Sequence, residues 1–265
     1  MCYSLKNTTM YSAIILASLL MSTTNLYAAP LLSNQLTKDP DAKLSIGINA
    51  VVTQSAYDTD GSTVEILPSA FFDNNRLYAR GNQFGAYAIN DGTNQLSAFV
   101  QTNGTAFDPE DAKGNLNKLD ERKRTIIAGA EYLRITPIGG FRVQAAHDIV
   151  GDSKGNIARL NYVAKYSNDR LTLYPTIGVE WHDRKYNDYY YGVSQKESKN
   201  SGVNTYEPDQ SISPYLAVSA HYDINDHFTG FAYQSLTYLA DEQYNSPMVD
   251  SHTEAKTTVG LLYKF

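Results

Sequence analysis

The sequence has very little cysteine and no excess of basic residues. The single cysteine among the 265 residues is Cys2, which lies in a predicted leader, so the processed chain offers neither a disulfide nor a thiolate metal site. Lysine and arginine number 22 against 28 aspartate and glutamate, which excludes nucleic-acid binding because that needs a positive surface. No apolar run approaches the roughly 18 residues of a membrane-spanning helix. Helical membrane bundles are therefore excluded, whereas membrane-spanning strands are not.

The N-terminus has the pattern of a secretory signal peptide. A polar start is followed by an apolar run over residues 11–21 and by small residues that include Ala28;. Cleavage after Ala28 is preferred because cleavage one residue later would leave Pro30 directly after the bond. The predicted organisation is a signal peptide over residues 1–28, a periplasmic N-terminal segment over 29–43 and a single β-barrel domain over 44–265.

From residue 44 onward, apolar and polar side chains alternate over stretches of about ten residues, which is the period of strands. The clearest stretch is 171–182. There Leu173, Ile177 and Trp181 fall on one face, while Glu180 and His182 fall on the other. Turn-forming residues separate the stretches. The pattern therefore predicts an all-β chain.

Three further features favour a membrane barrel over a soluble sandwich. Tyrosine, at 21 residues against 9 phenylalanines, is frequent near the predicted strand ends, as in the aromatic girdles of membrane barrels. Short connections alternate with long polar ones over 104–124, 183–211 and 240–252, as do periplasmic turns and outer loops. The chain ends on an alternating strand with Tyr263 and Phe265 on one face. Such a terminal strand resembles the signal read by the outer-membrane assembly machinery.

The predicted fold is an antiparallel transmembrane β-barrel of the bacterial outer membrane with about twelve strands. The segment 76–89 forms either one long strand or two short strands bent around residues 81–83. Twelve strands result if it forms two, which parity favours because both termini should be periplasmic. Ten strands are the fallback. The other strands are predicted near 44–54, 63–73, 95–103, 125–136, 141–150, 157–167, 171–182, 212–224, 227–239 and 254–265.

Several sequence blocks resemble the MipA/OmpV family of outer-membrane proteins. The blocks occur in the family's order at 57–61, 66–68, 77–81, 119–123, 189–194, 246–249 and 263–265. The resemblance covers essentially the whole mature chain. It implies an outer-membrane barrel without catalytic residues or cofactors, which scaffolds the lytic murein transglycosylase MltA and a bifunctional murein synthase. Contacts with outer-membrane lipid and lipopolysaccharide follow from the location.

Three His/Asp pairs are candidates for acid/base chemistry. His147 and His182 are each followed directly by aspartate, but neighbouring residues on a strand point to opposite faces. His221 and Asp223 share a face without an evident nucleophile. We therefore expect structural polarity at these positions, no enzyme activity and no metal site.

The long loop over 183–210 is the richest candidate surface for recognition. Its tyrosines interleave with basic residues and could offer rigid amphipathic contact area. The alternative is that the loop folds inward as a plug or extends the aromatic girdle, and the sequence leaves both open. The candidate recognition residues are Tyr186, Tyr189, Tyr190, Tyr191 and Tyr206.

Two other roles compete with the scaffold. A narrow channel is one, because Glu131, Arg142, Arg159 and Glu180 could line a wet lumen. The same side chains could instead fill a lumen of this size by pairing with one another. A surface adhesin that presents residues 183–210 is the other.

Overall fold

The computed structural model describes residues 44–151 and 153–265. The predicted signal peptide over 1–28 and the predicted periplasmic segment over 29–43 lie outside the described residues. Within the described ranges, no helix is both long and apolar enough to cross a membrane.

Thirteen strands form one antiparallel sheet in the described part of the chain. They are β1 Ser45–Gln54, β2 Thr63–Asp73, β3 Leu77–Gly81, β4 Gln83–Asn90, β5 Asn94–Asn103, β6 Thr125–Thr136, β7 Gly139–Asp148, β8 Asn156–Val163, β9 Tyr166–Asn168, β10 Leu171–His182, β11 Ser211–Asp223, β12 Phe228–Tyr238 and β13 Thr253–Lys264. Each predicted stretch contains a strand, and most strand ends agree to within two residues. The all-β expectation is confirmed.

The sheet closes on itself because β1 pairs with β13 as well as with β2. Closure leaves no unpaired sheet edge, which hydrocarbon demands because it offers backbone groups no hydrogen-bonding partner. The segment 76–89 forms two strands that turn at Gly81, whose φ of 64° suits glycine;. The barrel thus has twelve wall positions, with β8 and β9 counted as one. The twelve-strand prediction is confirmed and the ten-strand fallback is wrong.

One wall strand is interrupted where the sequence predicts a continuous strand over 157–167. Both β8 and β9 pair with β10, and the break between them lies opposite Pro175. Ala164 N donates to Pro175 O at 2.9 Å, but Pro175 has no N–H with which to continue the ladder. The proline therefore breaks the pairing without opening the barrel.

The two ends of the barrel differ. Tight turns join the strands at one end of the barrel. Leu44 and Phe265 also meet at this end, where Phe265 N donates to Leu44 O at 3.2 Å. Most of the longer connections gather at the other end. They contain 3-10 helices Pro109–Asp111 and Gly114–Lys118 and helices α1 Arg184–Tyr191, α2 Gln195–Ser201 and α3 Asp241–Tyr244. This asymmetry is typical of membrane barrels with short periplasmic turns and long outer loops.

The two faces of the wall have the predicted polarity. On β10, Ile177 is 58% exposed on the outer face, whereas His182 is 5% exposed on the inner face. Neighbouring strands continue the outer face in register, with Leu216 beside Ile177. The outer belt is therefore apolar and the lumen is polar, as a hydrocarbon surround requires.

Candidate functional site

The outer mouth of the barrel is covered by packed loops, which we call the loop cap: residues 55–62, 104–124, 183–210 and 239–252. Backbone hydrogen bonds join three of these loops, 55–62, 104–124 and 239–252, to one another. Asp58 N donates to Met248 O at 2.9 Å, and Lys113 N donates to Asp58 O at 3.1 Å. The loops thus form one structure rather than separate extensions.

The loop over 183–210 is helical because its sequence supplies helix caps. The Asp183 side chain accepts from Tyr186 N and begins α1;. Ser194 and Glu197 form a reciprocal capping box at the start of α2, which ends at Gly202 with a left-handed φ of 78°;. These caps stabilise the two short helices, and packing holds the helices over the mouth of the barrel.

The tyrosines of this loop bind the loop cap together. Tyr190 is 1% exposed, and its hydroxyl donates to Lys123 O at 3.1 Å. Tyr57 in turn donates to Tyr190 O at 2.9 Å. Tyr189 accepts from Lys123 N at 2.8 Å, and Tyr206 donates to Glu242 O at 3.1 Å. Each hydroxyl thus links this loop to another.

The positions of these tyrosines correspond to the inward-folded alternative. Tyr186 and Tyr190 are buried, while Tyr189, Tyr191 and Tyr206 are half-buried. Burial raises the pKa of Tyr186 and of Tyr191 well above the ordinary value for tyrosine, and neighbouring tyrosines or glutamates add to the shift;. Recognition of a partner by these residues stays a prediction, and it would need the loop cap to open or to use the half-buried rings.

An apolar core lies within the loop cap. Met248 is fully buried and Phe107 is 1% exposed, and the ring of Tyr57 packs edge-on against Phe107 with centroids 5.2 Å apart. Full burial of one such side chain contributes about 1.5–3 kcal/mol. Leu116, Leu119 and Val193 complete the cluster. Packing of this kind favours a closed loop cap.

A buried ion pair joins two loops of the loop cap. Arg122 Nη2 donates to Glu197 Oε1 at 2.7 Å, and Arg122 also donates to the carbonyl oxygens of Asp120 and Gly192. Burial opposes ionisation of Glu197, but hydrogen bonds from Ser194 and Arg122 outweigh it and lower the pKa of Glu197;. We call this pair the latch. Sequence reasoning missed it, although the Ser194 and Glu197 spacing was readable as a capping box.

A second buried network centres on Gln243, which sequence reasoning also missed. Gln243 accepts from Ser213 Oγ at 2.7 Å and donates to Asn187 Oδ1 at 3.2 Å. Gln243 Nε2 also lies 3.2 Å from His182 Nδ1, while His182 Nε2 lies 2.7 Å from Glu180. Gln243 therefore connects α3, α1 and the outer ends of β10 and β11. No local pattern marks it because its partners are distant in the chain.

Several charged residues in the lumen are paired. Glu131 is 2% exposed and lies 3.4 Å from Arg80 and 3.7 Å from Arg142. Gln144 Nε2 donates to Glu131 at 2.6 Å. Higher in the lumen, Arg159 pairs with Glu180. These contacts fill the interior with paired charges. This arrangement corresponds to the second possibility given by the sequence, in which the side chains fill the lumen instead of lining a channel.

The three His/Asp pairs form no catalytic constellation in the described residues. His147 hydrogen-bonds to Asn156. Asp148 faces inward and accepts from the side chains of Thr125 and Ser153 and from four backbone N–H groups, those of Val150, Gly151, Ser153 and Lys154. His221 packs among aromatic rings. Over 44–151 and 153–265, no group of three or more His, Cys, Asp or Glu residues is placed to hold a metal ion.

The opposite rim, which carries the tight turns, presents exposed apolar and aromatic groups. Ile138 and Phe265 are each 60% exposed. Tyr263 packs against Phe265 and Phe228, with centroid distances of 5.0 and 5.4 Å. Asn225 Oδ1 accepts from two backbone N–H groups and fixes the turn between β11 and β12;. The predicted assembly residues Tyr263 and Phe265 therefore belong to an aromatic girdle at this rim.

The family model for MltA-interacting protein MipA matches residues 46–265. The chain belongs to the MipA family. The MltA-interacting protein of Escherichia coli K12 is 34% identical over 226 residues, which cover 85% of this chain and 91% of that protein. The family match over 46–265 includes the loop cap and all of the barrel wall except Ser45.

Other relatives of this MipA-family chain are outer-membrane proteins. Omp26La of Vibrio anguillarum is 27% identical over 170 residues, 64% of this chain and 65% of that protein. OmpV of Vibrio cholerae is 26% identical over the same length. Among solved structures, the NalP translocator domain of Neisseria meningitidis superposes with a TM-score of 0.44 at 13% identity, covering 97% of both chains. The family and the closed barrel together place the protein in the outer membrane.

Proposed function

We propose that this MipA-family barrel is a scaffold that binds murein-remodelling enzymes, a lytic transglycosylase of the MltA kind and a bifunctional murein synthase, in peptidoglycan synthesis. The observation that carries the proposal is the 34% identity to a protein named for its interaction with MltA. The relatives are named as interacting or outer-membrane proteins. We further propose that the chain is not an enzyme and needs no cofactor, and that its belt contacts outer-membrane lipid and lipopolysaccharide.

The periplasmic rim is the proposed binding surface because murein enzymes act on that side of the membrane. Its turns are short and internally hydrogen-bonded, so they present a preorganised surface. Asp91, for example, accepts from Thr93 N and Asn94 N at 2.9 and 2.7 Å. Ile138 and Leu44 add exposed apolar contact area. Apolar groups ringed by polar turns are typical of protein interfaces.

Site-specific photo-crosslinking in intact envelopes tests this proposal. A photoreactive residue at Asp169 or Asp226 in the periplasmic turns should yield adducts with the transglycosylase and the synthase. The matched control is Lys196, whose side chain is 79% exposed on the loop cap and should give neither adduct. Adducts from Lys196 alone would overturn the periplasmic rim as the binding surface, and the absence of adducts from all three positions would overturn the scaffold proposal.

Conductance measurement separates the scaffold from a channel. Because Glu131, Arg159 and Glu180 are paired in the lumen and the loop cap is packed, we expect the purified protein to give no single-channel steps in planar bilayers;. Reproducible steps from the unmodified protein would support the channel instead.

A further inference from the structure

The apolar outer belt contains one polar interruption at mid-depth. Gln234 on β12 faces outward, on the same face as Leu236 and Tyr238, which are 45% and 51% exposed. It lies about midway between Tyr238 at the outer end of the strand and Phe228 at the inner end. Its register partner Thr257 on β13 is also outward, in line with Val259 at 52% exposure. On the other described strands, the outward side chains at this depth are apolar.

The hydrogen bonds inside this pair leave part of the amide unused. Thr257 Oγ1 donates to Gln234 Oε1 at 2.5 Å, and Gln234 Nε2 donates to Ser235 O at 3.1 Å. A glutamine amide has two N–H donors and two acceptor lone pairs. One donor and one acceptor position of Gln234 therefore remain unused in the protein, and hydrocarbon offers them no hydrogen-bonding partner.

Several small residues lie near the polar pair on the outer face, although its direct register neighbours are Val218 and Val52. They occupy outward positions along the same strands or diagonal to the pair: Ala50, Ala220, Gly230, Ala232 and Ala255. Small side chains let two membrane segments approach closely, and polar groups among them then hydrogen-bond across the contact. The patch thus combines close approach with an unsatisfied amide.

We propose that this patch is an interface on which a second copy of the chain packs within the membrane. A two-fold axis along the membrane normal brings Gln234 of each copy against Gln234 of the other. The free N–H of one amide then donates to the free oxygen of its mate, and the reverse, so both amides are satisfied by the same contact. Lipid tails offer no such partner. The self-complementary amide is the reason to choose a second copy over another membrane protein.

Disulfide crosslinking in native outer membranes tests the interface. Ala232→Cys, in a Cys2→Ser background, places a thiol one outward position from Gln234, and the control Ala145→Cys places one on the outward face of β7 among alanines. Under mild oxidation we expect a dimer from Ala232→Cys and none from Ala145→Cys. Equal crosslinking of the two, or no dimer from either, would overturn the proposal. A crosslinked product of a mass other than two chains would identify a different partner and also overturn it.

Two further measurements tie the contact to the amide. Adding Gln234→Leu to Ala232→Cys should lower the crosslinked fraction by about three- to tenfold, the effect of losing hydrogen bonds in a membrane. Retention of the faster gel migration of the unheated barrel shows that the variant has folded. An unchanged crosslinked fraction in the folded variant would contradict the role of Gln234. The unmodified protein in mild detergent should sediment as two chains, and a purely monomeric species would count against the interface.

Discussion

Arg122 and Glu197 lie 2.7 Å apart with side chains that are each only 6% exposed. The residues come from different loops, so the contact fastens the loop over 183–210 to the loop over 104–124. Neither loop has another buried ion pair to the other within the described residues. The latch is therefore the buried ion pair that holds these two loops of the loop cap together.

Removal of the arginine should loosen the loop cap. Arg122→Met leaves Glu197 as a buried charge without its partner, and such a change typically costs about 3–5 kcal/mol. We expect faster trypsin cleavage at Lys196 and Lys199 in the folded barrel. The control is Arg184→Met, because the Arg184–Glu207 pair is 62% and 70% exposed and pairs of that kind contribute at most about 1 kcal/mol. Equal cleavage rates in the two variants would contradict the latch.

The latch should also weaken in acid. The pKa of Glu197 is lowered in the folded protein from an ordinary value of 4.5. Its contribution to stability is therefore fully present above the unfolded pKa and is lost as the pH falls through the folded pKa. Trp181, the single tryptophan, reports on this loop because its Nε1 donates to Gln210 at 3.3 Å. We expect its fluorescence to change below pH 4.5, and a Glu197→Gln variant to lack that part of the change.

Gln243 should be needed for the same closed state. Gln243→Leu removes the partner of Ser213 and of Asn187, both of which are buried. An unsatisfied buried polar group costs about 1–3 kcal/mol. Hydrogen exchange at α1 and α3 should therefore increase, while exchange in β1 and β13 should stay unchanged. Uniformly faster exchange through the whole wall would show that Gln243 supports the barrel rather than the loop cap.

Two glycines with nearly the same backbone angle allow a matched test of the position of Tyr190. Gly104 has φ +89° and Gly92 has φ +88°, so alanine is strained equally at both;. A Cβ at Gly104 would lie 2.1 Å from the Tyr190 hydroxyl, whereas a Cβ at Gly92 meets nothing within 4 Å. Gly104→Ala should therefore expose Tyr190 to nitration and Gly92→Ala should not. Equal nitration in both variants would contradict the packing described here.

The terminal aromatic residue should matter for assembly more than for stability. Phe265 is 60% exposed, so Phe265→Ala removes little packing. If Phe265 is part of the assembly signal, the variant should accumulate unfolded in the periplasm, yet refold normally in detergent. Tyr238→Ala, at a 51% exposed girdle position, is the control and should assemble. Normal assembly of Phe265→Ala would remove this residue from the signal.

The sequence by itself determined the wall of the barrel. Alternation is a local property, so it located β10 and the face of Ile177 without knowledge of any partner strand. An even number of strands likewise predicts that 76–89 forms two strands, which are β3 and β4 in the structure. Local sequence could not place the break between β8 and β9, because that break depends on which strand lies opposite Pro175.

Only the tertiary structure decided where the loops go. The tyrosine-rich loop was equally compatible with an exposed surface and with an inward fold, since a tyrosine ring suits both environments. Three contacts hold the loop in the inward fold: the hydrogen bond from Tyr57 to Tyr190, the Arg122–Glu197 latch and the Gln243 network. All three join residues far apart in the chain. The strand period is a property of neighbouring residues in the sequence. The closed loop cap instead depends on contacts that exist only once the barrel has brought its loops together.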